Sequence, residues 1–348
     1  MLMCSLRMNL RQVQQTGRGF NCSQIESALD IVQELSKLKK SIKDRNNNTL
    51  GETTRSQINP TRQQEKSVTK TATHARQTTK IGTWNICGLG KKEPEIVEFM
   101  IKHKINIMGI ADCRKKGNAT KVTHNNYVIS WSGTEIQQRA VHGVGFILHP
   151  DIARNIMKID YISERIIMLQ LHGKTKNTTL IQIYAPTNDG YTQEEKDAFF
   201  DKVSDLISQT HSKDDVFVMG DFNGHVGRRR TPWEEQLGPF ADNDRECNEN
   251  GQHLLELCAE HGLYITNSFY KHPMSQIYTW YKWNNLDQAA QKDFILTHKT
   301  RRSNLRDARV IPNTTVNTDH RPLIAYLNET PLSKIHRKTV RTKIIDTR

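Results

Sequence analysis

Acidic, amide and hydroxyl side chains follow the ends of several short apolar runs along this chain. The clearest case is the segment 215–225, in which the apolar run 216–219 is followed at once by Gly220, Asp221 and Asn223. A short run of β-branched and aromatic residues that stops at a glycine is typical of a buried strand followed by a sharp turn. A carboxylate and a carboxamide on that turn are well placed to hold a water molecule and a phosphate oxygen. An ordinary Asp/Asn turn is the alternative for this stretch alone.

Further polar residues occupy comparable positions at or beside the ends of other apolar runs: Asn85, Asp112, Tyr184, Asp293, Asp319 and His320. Strand ends converge on one rim in many α/β proteins, and ligand sites favour that rim. Carboxylates and amides suit a hard, oxygen-preferring cation such as Mg²⁺ or Mn²⁺. The same set suits attack of water on a phosphodiester, which needs a base, a metal and donors for the developing charge. Each residue alone also fits a turn or a cap, but their joint order favours a hydrolytic site.

The elements that would position these residues alternate between strand-like and helix-like patterns from residue 80 onwards. Strands are predicted at 80–85, 105–111, 127–131, 143–148, 180–184, 216–219, 277–280, 293–296 and 323–327. Helical spacing runs over 93–104 and 250–261, and Thr192 with Glu195 forms a capping box ahead of a third helix. The alternation predicts a layered α/β domain over residues 80–329.

The two ends of the chain have a different composition. Residues 1–44 form an N-terminal extension, in which Ser23 could cap an amphipathic helix that runs to about Lys43. Residues 45–79 are polar and almost free of large apolar side chains, which predicts a disordered linker. Residues 330–348 form a basic tail.

Composition limits the class of protein and of partner. The chain has 348 residues and a formal net charge of +13, which favours an anionic partner such as nucleic acid. Its six cysteines include no Cys-x-x-Cys pair, so we expect a reduced intracellular protein without a cysteine-based zinc site. No apolar run is long enough to span a bilayer, and the first residues do not form a secretory signal. The basic runs are too short to indicate nuclear import, which leaves a nuclear location open.

Six motifs occur in an order that resembles the endonuclease/exonuclease/phosphatase superfamily. They are Thr83-Trp-Asn85, Ile110-Ala-Asp112, Ile183-Tyr-Ala-Pro-Thr187, Gly220-Asp-Phe-Asn223, Asp293-Phe-Ile-Leu296 and Thr318-Asp-His320. The segments 220–227 and 248–267 resemble most the apurinic-type endonuclease domain of LINE retrotransposons of the RTE branch. Stand-alone copies of that branch are called craniofacial development protein 2-like. The resemblance implies a four-layer α/β sandwich, in which two mixed β-sheets are flanked by helices.

The resemblance also implies a role for each matched position. Asp112 corresponds to the metal-binding acidic residue, with Asn85 beside it and Asp319 in support, and the cation would be Mg²⁺ or Mn²⁺. Trp280 would pack against a sugar or base of the substrate.

The remaining matched residues would carry out the chemistry. By the resemblance, Tyr184 donates to the scissile phosphate, Asp221 orients or deprotonates the attacking water, and Asn223 holds the phosphate or the nucleophile. Asp293 and His320 would form a carboxylate–imidazole pair in which His320 meets the phosphate. These roles imply a divalent-metal-dependent DNA endonuclease of retrotransposon origin.

Two departures from the family pattern bear on that function. The family has glutamate where this chain has Asp112, and the shorter side chain loses reach toward a metal with strict geometry. Lys292 replaces an apolar residue before Asp293, although alternation along a strand would direct it to the opposite face. The alternatives are a phosphatase of the same superfamily and a catalytically weakened nucleic-acid-binding relic.

Overall fold

The computed structural model describes residues 78–328 apart from 174, 228, 229, 243 and 244. The predicted N-terminal helix, the basic tail and nearly all of the predicted linker lie outside the described residues. The division of the chain into extension, linker, domain and tail therefore stays a prediction.

The described residues form fifteen strands and four α-helices. The strands are β1 (Thr79–Asn85), β2 (Ile107–Ala111), β3 (Asn118–Val122), β4 (Val128–Ser132), β5 (Val144–Leu148), β6 (Ile156–Ser163), β7 (Ile166–Leu171), β8 (Thr178–Tyr184), β9 (Asp215–Asp221), β10 (Leu263–Ile265), β11 (Trp280–Lys282), β12 (Asn285–Ala290), β13 (Asp293–His298), β14 (Leu305–Val310) and β15 (Leu323–Leu327). The helices are α1 (Glu93–His103), α2 (Pro150–Ala153), α3 (Gln193–Ser208) and α4 (Glu249–Glu260). Three short 3-10 helices lie at Thr266–Ser268, Met274–Gln276 and Lys299–Asn304.

The strands form two mixed sheets and a separate hairpin. The first sheet has the order β14-β15-β1-β2-β5-β4-β3, and the second has the order β10-β13-β9-β8-β7-β6. Each contains one parallel pair, β1 with β2 and β8 with β9, whereas the other neighbours are antiparallel. Strands β11 and β12 form the hairpin. The predicted fold class, two mixed sheets flanked by helices, is confirmed.

Helices cover the two sheets through separate apolar clusters. Helix α1 buries Ile96 and Met100 in a cluster that includes strand residues of the first sheet, and α3 and α4 bury theirs with strand residues of the second. The inner faces of the two sheets meet where the amide of Gln182 donates to the hydroxyl of Thr83 over 3.1 Å. Gly109 leaves room for this contact, because a Cβ atom there would lie 1.9 Å from the Gln182 side-chain oxygen and would force that side chain to move. The two sheets therefore stack closely and bring their strand ends to a common edge.

Local signals in the sequence fix several of these elements. The capping box of Thr192 and Glu195 is present at the start of α3, as predicted. The prediction of a strand over 277–280 is wrong, because Pro273 opens the short 3-10 helix and the backbone N–H of Ile277 still bonds back to Met274. Extended structure begins only at Trp280.

Candidate active site

The polar residues predicted from the strand ends gather at one edge of the stacked sheets. Strands β1, β8 and β9 end at Asn85, Tyr184 and Asp221, and Asp112 follows the last residue of β2. Asp293 opens β13, which is antiparallel to β9 and places Asp293 directly opposite Asp221. The parallel register also pairs Tyr184 with Asp221, so three side chains from neighbouring strands share this edge.

Asp221 lies at the centre of the cluster and is almost completely buried. Its Oδ2 atom accepts a hydrogen bond of 2.9 Å from the side-chain amide of Asn85, which belongs to the other sheet. Its Oδ1 atom accepts a second bond of 2.9 Å from the backbone N–H of Asn223. These bonds fix the orientation of the carboxylate in a site that links both sheets.

Hydrogen bonds with other segments of the chain hold the turn after Asp221. Asn223 has a φ of +48°, in the left-handed region that asparagine tolerates better than most residues. Its side-chain amide donates to the backbone carbonyl of Ala185 over 2.9 Å. Asn250, in the first turn of α4, is buried and donates to the carbonyls of Pro186 and Phe222 over 2.8 and 3.0 Å. The start of α4 therefore clamps the loop that carries Asn223.

Asp293 and His320 form the predicted carboxylate–imidazole pair. The Oδ2 atom of Asp293 lies 2.8 Å from Nδ1 of His320, and both residues are buried. The hydroxyl of Thr279 accepts the backbone N–H of Asp293 over 3.0 Å and fixes the start of β13. The other imidazole nitrogen of His320, Nε2, lies 3.7 Å from Asp221, which is too far for a hydrogen bond.

Charge determines the protonation of this pair. Burial lowers the pKa of His320, but the neighbouring carboxylates of Asp293 and Asp221 outweigh burial and raise it to about 9. The imidazole is therefore a cation at neutral pH. Burial raises the pKa of Asp293 to about 6, while the charge of His320 opposes that rise.

Asp319 lies beside this pair and is held by two donors. Its Oδ2 atom accepts the indole N–H of Trp280 over 2.9 Å, and its Oδ1 atom accepts the thiol of Cys87 over 3.1 Å. Cys87 in turn donates its backbone N–H to the side-chain oxygen of Asn85 over 3.1 Å. Asn85, Asp319 and Trp280 thus belong to one connected network.

Lys292 contacts the aromatic ring of this network. Its ammonium group lies 3.9 Å from the ring centre of Trp280. A cation at that distance is attracted to the face of the indole. The positive charge that precedes Asp293 in the sequence is therefore paired with Trp280 at the rim of the site.

Tyr184 is packed against a buried arginine. The guanidinium carbon of Arg165 lies 5.3 Å from the ring centre of Tyr184 and 5.0 Å from that of Tyr191. Arg165 also donates to the backbone carbonyl of Tyr184 and to Nε2 of His142, over 3.0 and 3.1 Å. Burial and the charges of Asp221 and Asp112 raise the pKa of Tyr184, so its phenol stays protonated and can donate.

Asp112 is paired with Arg114. The guanidinium donates from Nε to Oδ1 over 3.1 Å and from Nη2 to Oδ2 over 2.8 Å. Burial raises the pKa of Asp112, the two bonds from Arg114 oppose that rise, and the charge of Asp221 adds to it. Asp112 therefore belongs to the same electrostatic cluster as Asp221, and it is already paired with the guanidinium cation of Arg114.

The donor atoms of the cluster suit a hard divalent cation. The predicted ligands Asn85, Asp112 and Asp319 offer amide and carboxylate oxygens, and a carboxylate oxygen that accepts one hydrogen bond keeps a lone pair for a metal. The Oδ1 atom of Asp293 is buried and has no hydrogen-bond partner. Asp221, Asp293 and His320 offer polar atoms that all lie within 4.8 Å of one another, and the two carboxylates of this group can bind a cation while the imidazole keeps its proton. The residues present therefore fit a bound Mg²⁺ or Mn²⁺.

The structure brings all of the predicted site residues to this edge, and it adds others that the sequence analysis missed. The additional residues are Cys87, Arg114, His142, Arg165, Tyr191, Asn250 and Thr279. Cys87 and Arg114 are each two residues from a predicted site residue, a proximity that could have pointed to them. Asn250 lies in the segment 248–267 that resembles the family, whereas Arg165 is distant in sequence from the predicted residues and carried no comparable signal.

In the described ranges, no helix is long and apolar enough to cross a membrane. No family model matches the chain.

Two curated relatives are similar to it. Craniofacial development protein 2 of Bos taurus is 30% identical over 247 residues, which make up 70% of this chain and 40% of that protein. The protein of the same name from Tragulus javanicus is 29% identical over 247 residues, 70% of this chain and 41% of that protein. The chain therefore matches less than half the length of these relatives.

Several solved structures share the fold. The 3′ phosphatase NExo from Neisseria, bound to a product DNA hairpin, has a TM-score of 0.54 and 17% identity, and the match covers 72% of this chain and 99% of NExo. The AP endonuclease LMAP from Leishmania major has a TM-score of 0.55, 12% identity and coverage of 73% and 88%. The catalytic domain of Xenopus laevis APE2 has a TM-score of 0.55, 14% identity and coverage of 73% and 93%. At these identities the likeness establishes the fold alone.

Proposed function

This chain has the fold of the endonuclease/exonuclease/phosphatase superfamily, and we propose that it is a divalent-metal-dependent DNA endonuclease that hydrolyses phosphodiester bonds. One observation carries the proposal. The Asp221 carboxylate is fixed by Asn85 and by the backbone of Asn223, and the Asp293–His320 pair lies 3.7 Å away through Nε2 of His320. A buried acceptor facing an imidazolium supplies a base for the attacking water and a donor for the charge that develops on the phosphate.

Asp221 is the proposed acceptor for the water proton. Because its two oxygens are held by Asn85 and Asn223, the carboxylate has little freedom to turn away from the water. General-base assistance of this kind contributes about 10²–10⁴ in rate. Asn223 lies on the same turn and would orient the water or hold a phosphate oxygen.

His320 and Tyr184 are the proposed donors to the phosphate. His320 is positively charged at neutral pH, and its Nδ1 atom is bound to Asp293, which leaves Nε2 on the side of Asp221. The phenol of Tyr184 stays protonated beside Asp221 and Asp112. Two fixed donors would stabilise the negative charge that grows on the phosphate oxygens as the attack proceeds in line with the leaving group.

Asn85, Asp112 and Asp319 would hold the cation, with Mg²⁺ or Mn²⁺ as the candidate ions. The bound ion would supply charge neutralisation at the phosphate. On the protein side, the amide oxygen of Asn85 accepts the backbone N–H of Cys87, whose thiol donates to Asp319, and Trp280 fixes Asp319 through the indole N–H. The shorter reach of Asp112 predicts weaker binding of the ion than a glutamate would give.

DNA is the proposed substrate because of charge and surroundings. The chain carries a net charge of +13, and Lys292 on the ring of Trp280 places a cation and an aromatic face at the rim of the site. The structural neighbour NExo is bound to a DNA hairpin, and others are AP endonucleases. The motif resemblance supports 3′-hydroxyl and 5′-phosphate products and an origin in an RTE-type LINE element.

A nicking assay on supercoiled plasmid tests this function. We expect relaxation with Mg²⁺ or Mn²⁺ and none with EDTA, and we expect DNA ligase to reseal the nicks because the predicted ends are substrates for it. Retardation of the plasmid without cleavage would instead indicate a non-catalytic DNA-binding protein. A protein that neither nicks nor retards the plasmid, but releases phosphate from a mononucleotide or phosphoinositide, would be a phosphatase.

A further inference from the structure

Arg114 binds both oxygens of Asp112 with one guanidinium, over 3.1 Å and 2.8 Å. A bidentate arginine–carboxylate pair is among the stronger polar contacts in proteins. We propose that Arg114 is a built-in counter-ion that competes with the divalent cation for Asp112 and so sets the metal affinity of the site. This inference rests on the proposed function, because it assumes that Asp112 is a metal ligand.

The backbone prepares this pair before any metal binds. Asp112 and Arg114 have φ values of +51° and +50°, which is uncommon for residues other than glycine. Both neighbouring segments hold the turn: the carbonyls of Asp112 and Cys113 accept backbone bonds from Gly88 and Leu89, over 2.7 and 2.9 Å. The N–H of Cys113 donates to Gly143 over 2.9 Å. The turn is therefore fixed, and it brings the two side chains together across one intervening residue.

The two side chains differ in freedom. The Asp112 side chain is 5% exposed, whereas that of Arg114 is 52% exposed. A buried carboxylate on a fixed turn cannot move away from a ligand, but a half-exposed arginine can turn out into solvent. The mobile partner is therefore Arg114, and the pair can open without a change in the backbone.

A metal ion and the guanidinium cannot share Asp112 without cost. Both are cations, and at a distance of a few ångströms in a partly buried site their repulsion is far larger than in water. The guanidinium already binds both carboxylate oxygens, so a divalent cation on a remaining lone pair would lie beside its charge, and this repulsion favours opening of the pair. The affinity measured for the ion is then the intrinsic affinity of the ligands reduced by the strength of the pair.

Isothermal titration calorimetry of the full chain with Mn²⁺, in the absence of DNA, tests this competition. Arg114→Gln removes the charge but keeps a side chain of similar length, and we expect it to bind Mn²⁺ about tenfold more tightly than the wild type. Arg114→Lys keeps the charge without the bidentate geometry, and we expect an intermediate affinity.

Arg154→Ala is the matched control. Arg154 directly follows helix α2, its side chain is also 52% exposed, and it pairs with an aspartate of that helix, Asp151, over 3.4 Å. We expect this variant to bind Mn²⁺ like the wild type. Thermal unfolding of every variant in EDTA establishes that the fold is kept.

A second readout follows the arginine itself. In NMR spectra of the wild type, addition of Mg²⁺ should shift the side-chain Nε–H resonance of Arg114 as the pair opens. The resonance is assigned by its loss in Arg114→Gln. If the wild type binds Mn²⁺ and Arg114→Gln binds it no more tightly, the competition is overturned while the proposed endonuclease stands. If neither protein binds Mn²⁺, the metal site fails and the competition fails with it.

Discussion

The carboxylate of Asp293 contacts Nδ1 of His320 at 2.8 Å through one oxygen, while its other oxygen is buried without a hydrogen-bond partner. The contact fixes the imidazole so that Nε2 faces Asp221 at 3.7 Å. Two carboxylates thus flank one ring from opposite sides. The ring keeps its proton for this reason, although burial alone would remove it.

The Asp293–His320 pair predicts a pH dependence of stability. The pKa of His320 rises from an ordinary value of 6.5 to about 9 in the folded protein. A group whose pKa is raised on folding stabilises the folded protein. This contribution to stability is complete at pH values below the unfolded pKa and is lost as the pH rises through the folded pKa. The metal-free protein should therefore lose this contribution to stability as the pH rises from about 7 to about 10.

Urea unfolding in EDTA across that range measures the effect. His320→Gln should show a flatter decline than the wild type, because the other groups that titrate in this range are common to both proteins. Parallel curves for the two proteins would contradict the charged state assigned to His320.

We expect Arg165 to position the side chain of Tyr184 at the site. Arg165→Lys keeps the charge but loses the planar group that stacks between Tyr184 and Tyr191 and bonds to the Tyr184 carbonyl. We expect kcat for DNA nicking to fall about tenfold with little change in KM, because a misplaced donor weakens the transition state more than substrate binding.

Arg309→Lys is the control for Arg165, since Arg309 stacks on Tyr326 at 5.2 Å on β14 and β15. It should leave both kinetic constants unchanged. A rise in KM with constant kcat in Arg165→Lys would show that Arg165 binds substrate instead of placing Tyr184.

Asp112 predicts a preference among metals. The shorter acid should make the wild type more active with Mn²⁺ than with Mg²⁺, because Mn²⁺ accepts looser coordination and binds a given ligand set more tightly. Asp112→Glu should lower the Mg²⁺ concentration needed for half-maximal nicking, and Asp112→Ala should remove activity with either ion. Full activity of the wild type at low Mg²⁺, with no gain from Asp112→Glu, would mean that the reach of Asp112 is sufficient.

Much of the fold and of the site could be predicted because the signals are local. Asn85, Tyr184 and Asp221 each close an apolar run, and a run that ends in a polar residue is visible in sequence as a strand end. The capping box at Thr192 is likewise a contact between residues three positions apart. Such features depend on neighbours along the chain, and these neighbours are the same in the folded protein.

The features that escaped prediction depend on backbone conformation or on distant contacts. The pair of Asp112 and Arg114 exists because both residues adopt a positive φ, which their residue types do not require. Arg165 reaches Tyr184 through the pairing of β7 with β8, so the two partners are 19 positions apart in sequence. The strand expected over 277–280 failed because the turn after Pro273 continues past Ile277 despite the apolar and aromatic residues there.

Single-turnover nicking by Asp221→Asn tests the central claim most directly. Asparagine keeps the shape and the bond from the backbone of Asn223 but cannot accept a proton from water, so we expect the metal-dependent rate to fall by about 10²–10⁴. DNA retention in a gel should stay within a factor of about two, and Asp201→Asn on the exposed face of α3 should match the wild type in both respects. A nicking rate of Asp221→Asn equal to that of the wild type would contradict the assignment of Asp221 and with it the proposed active site.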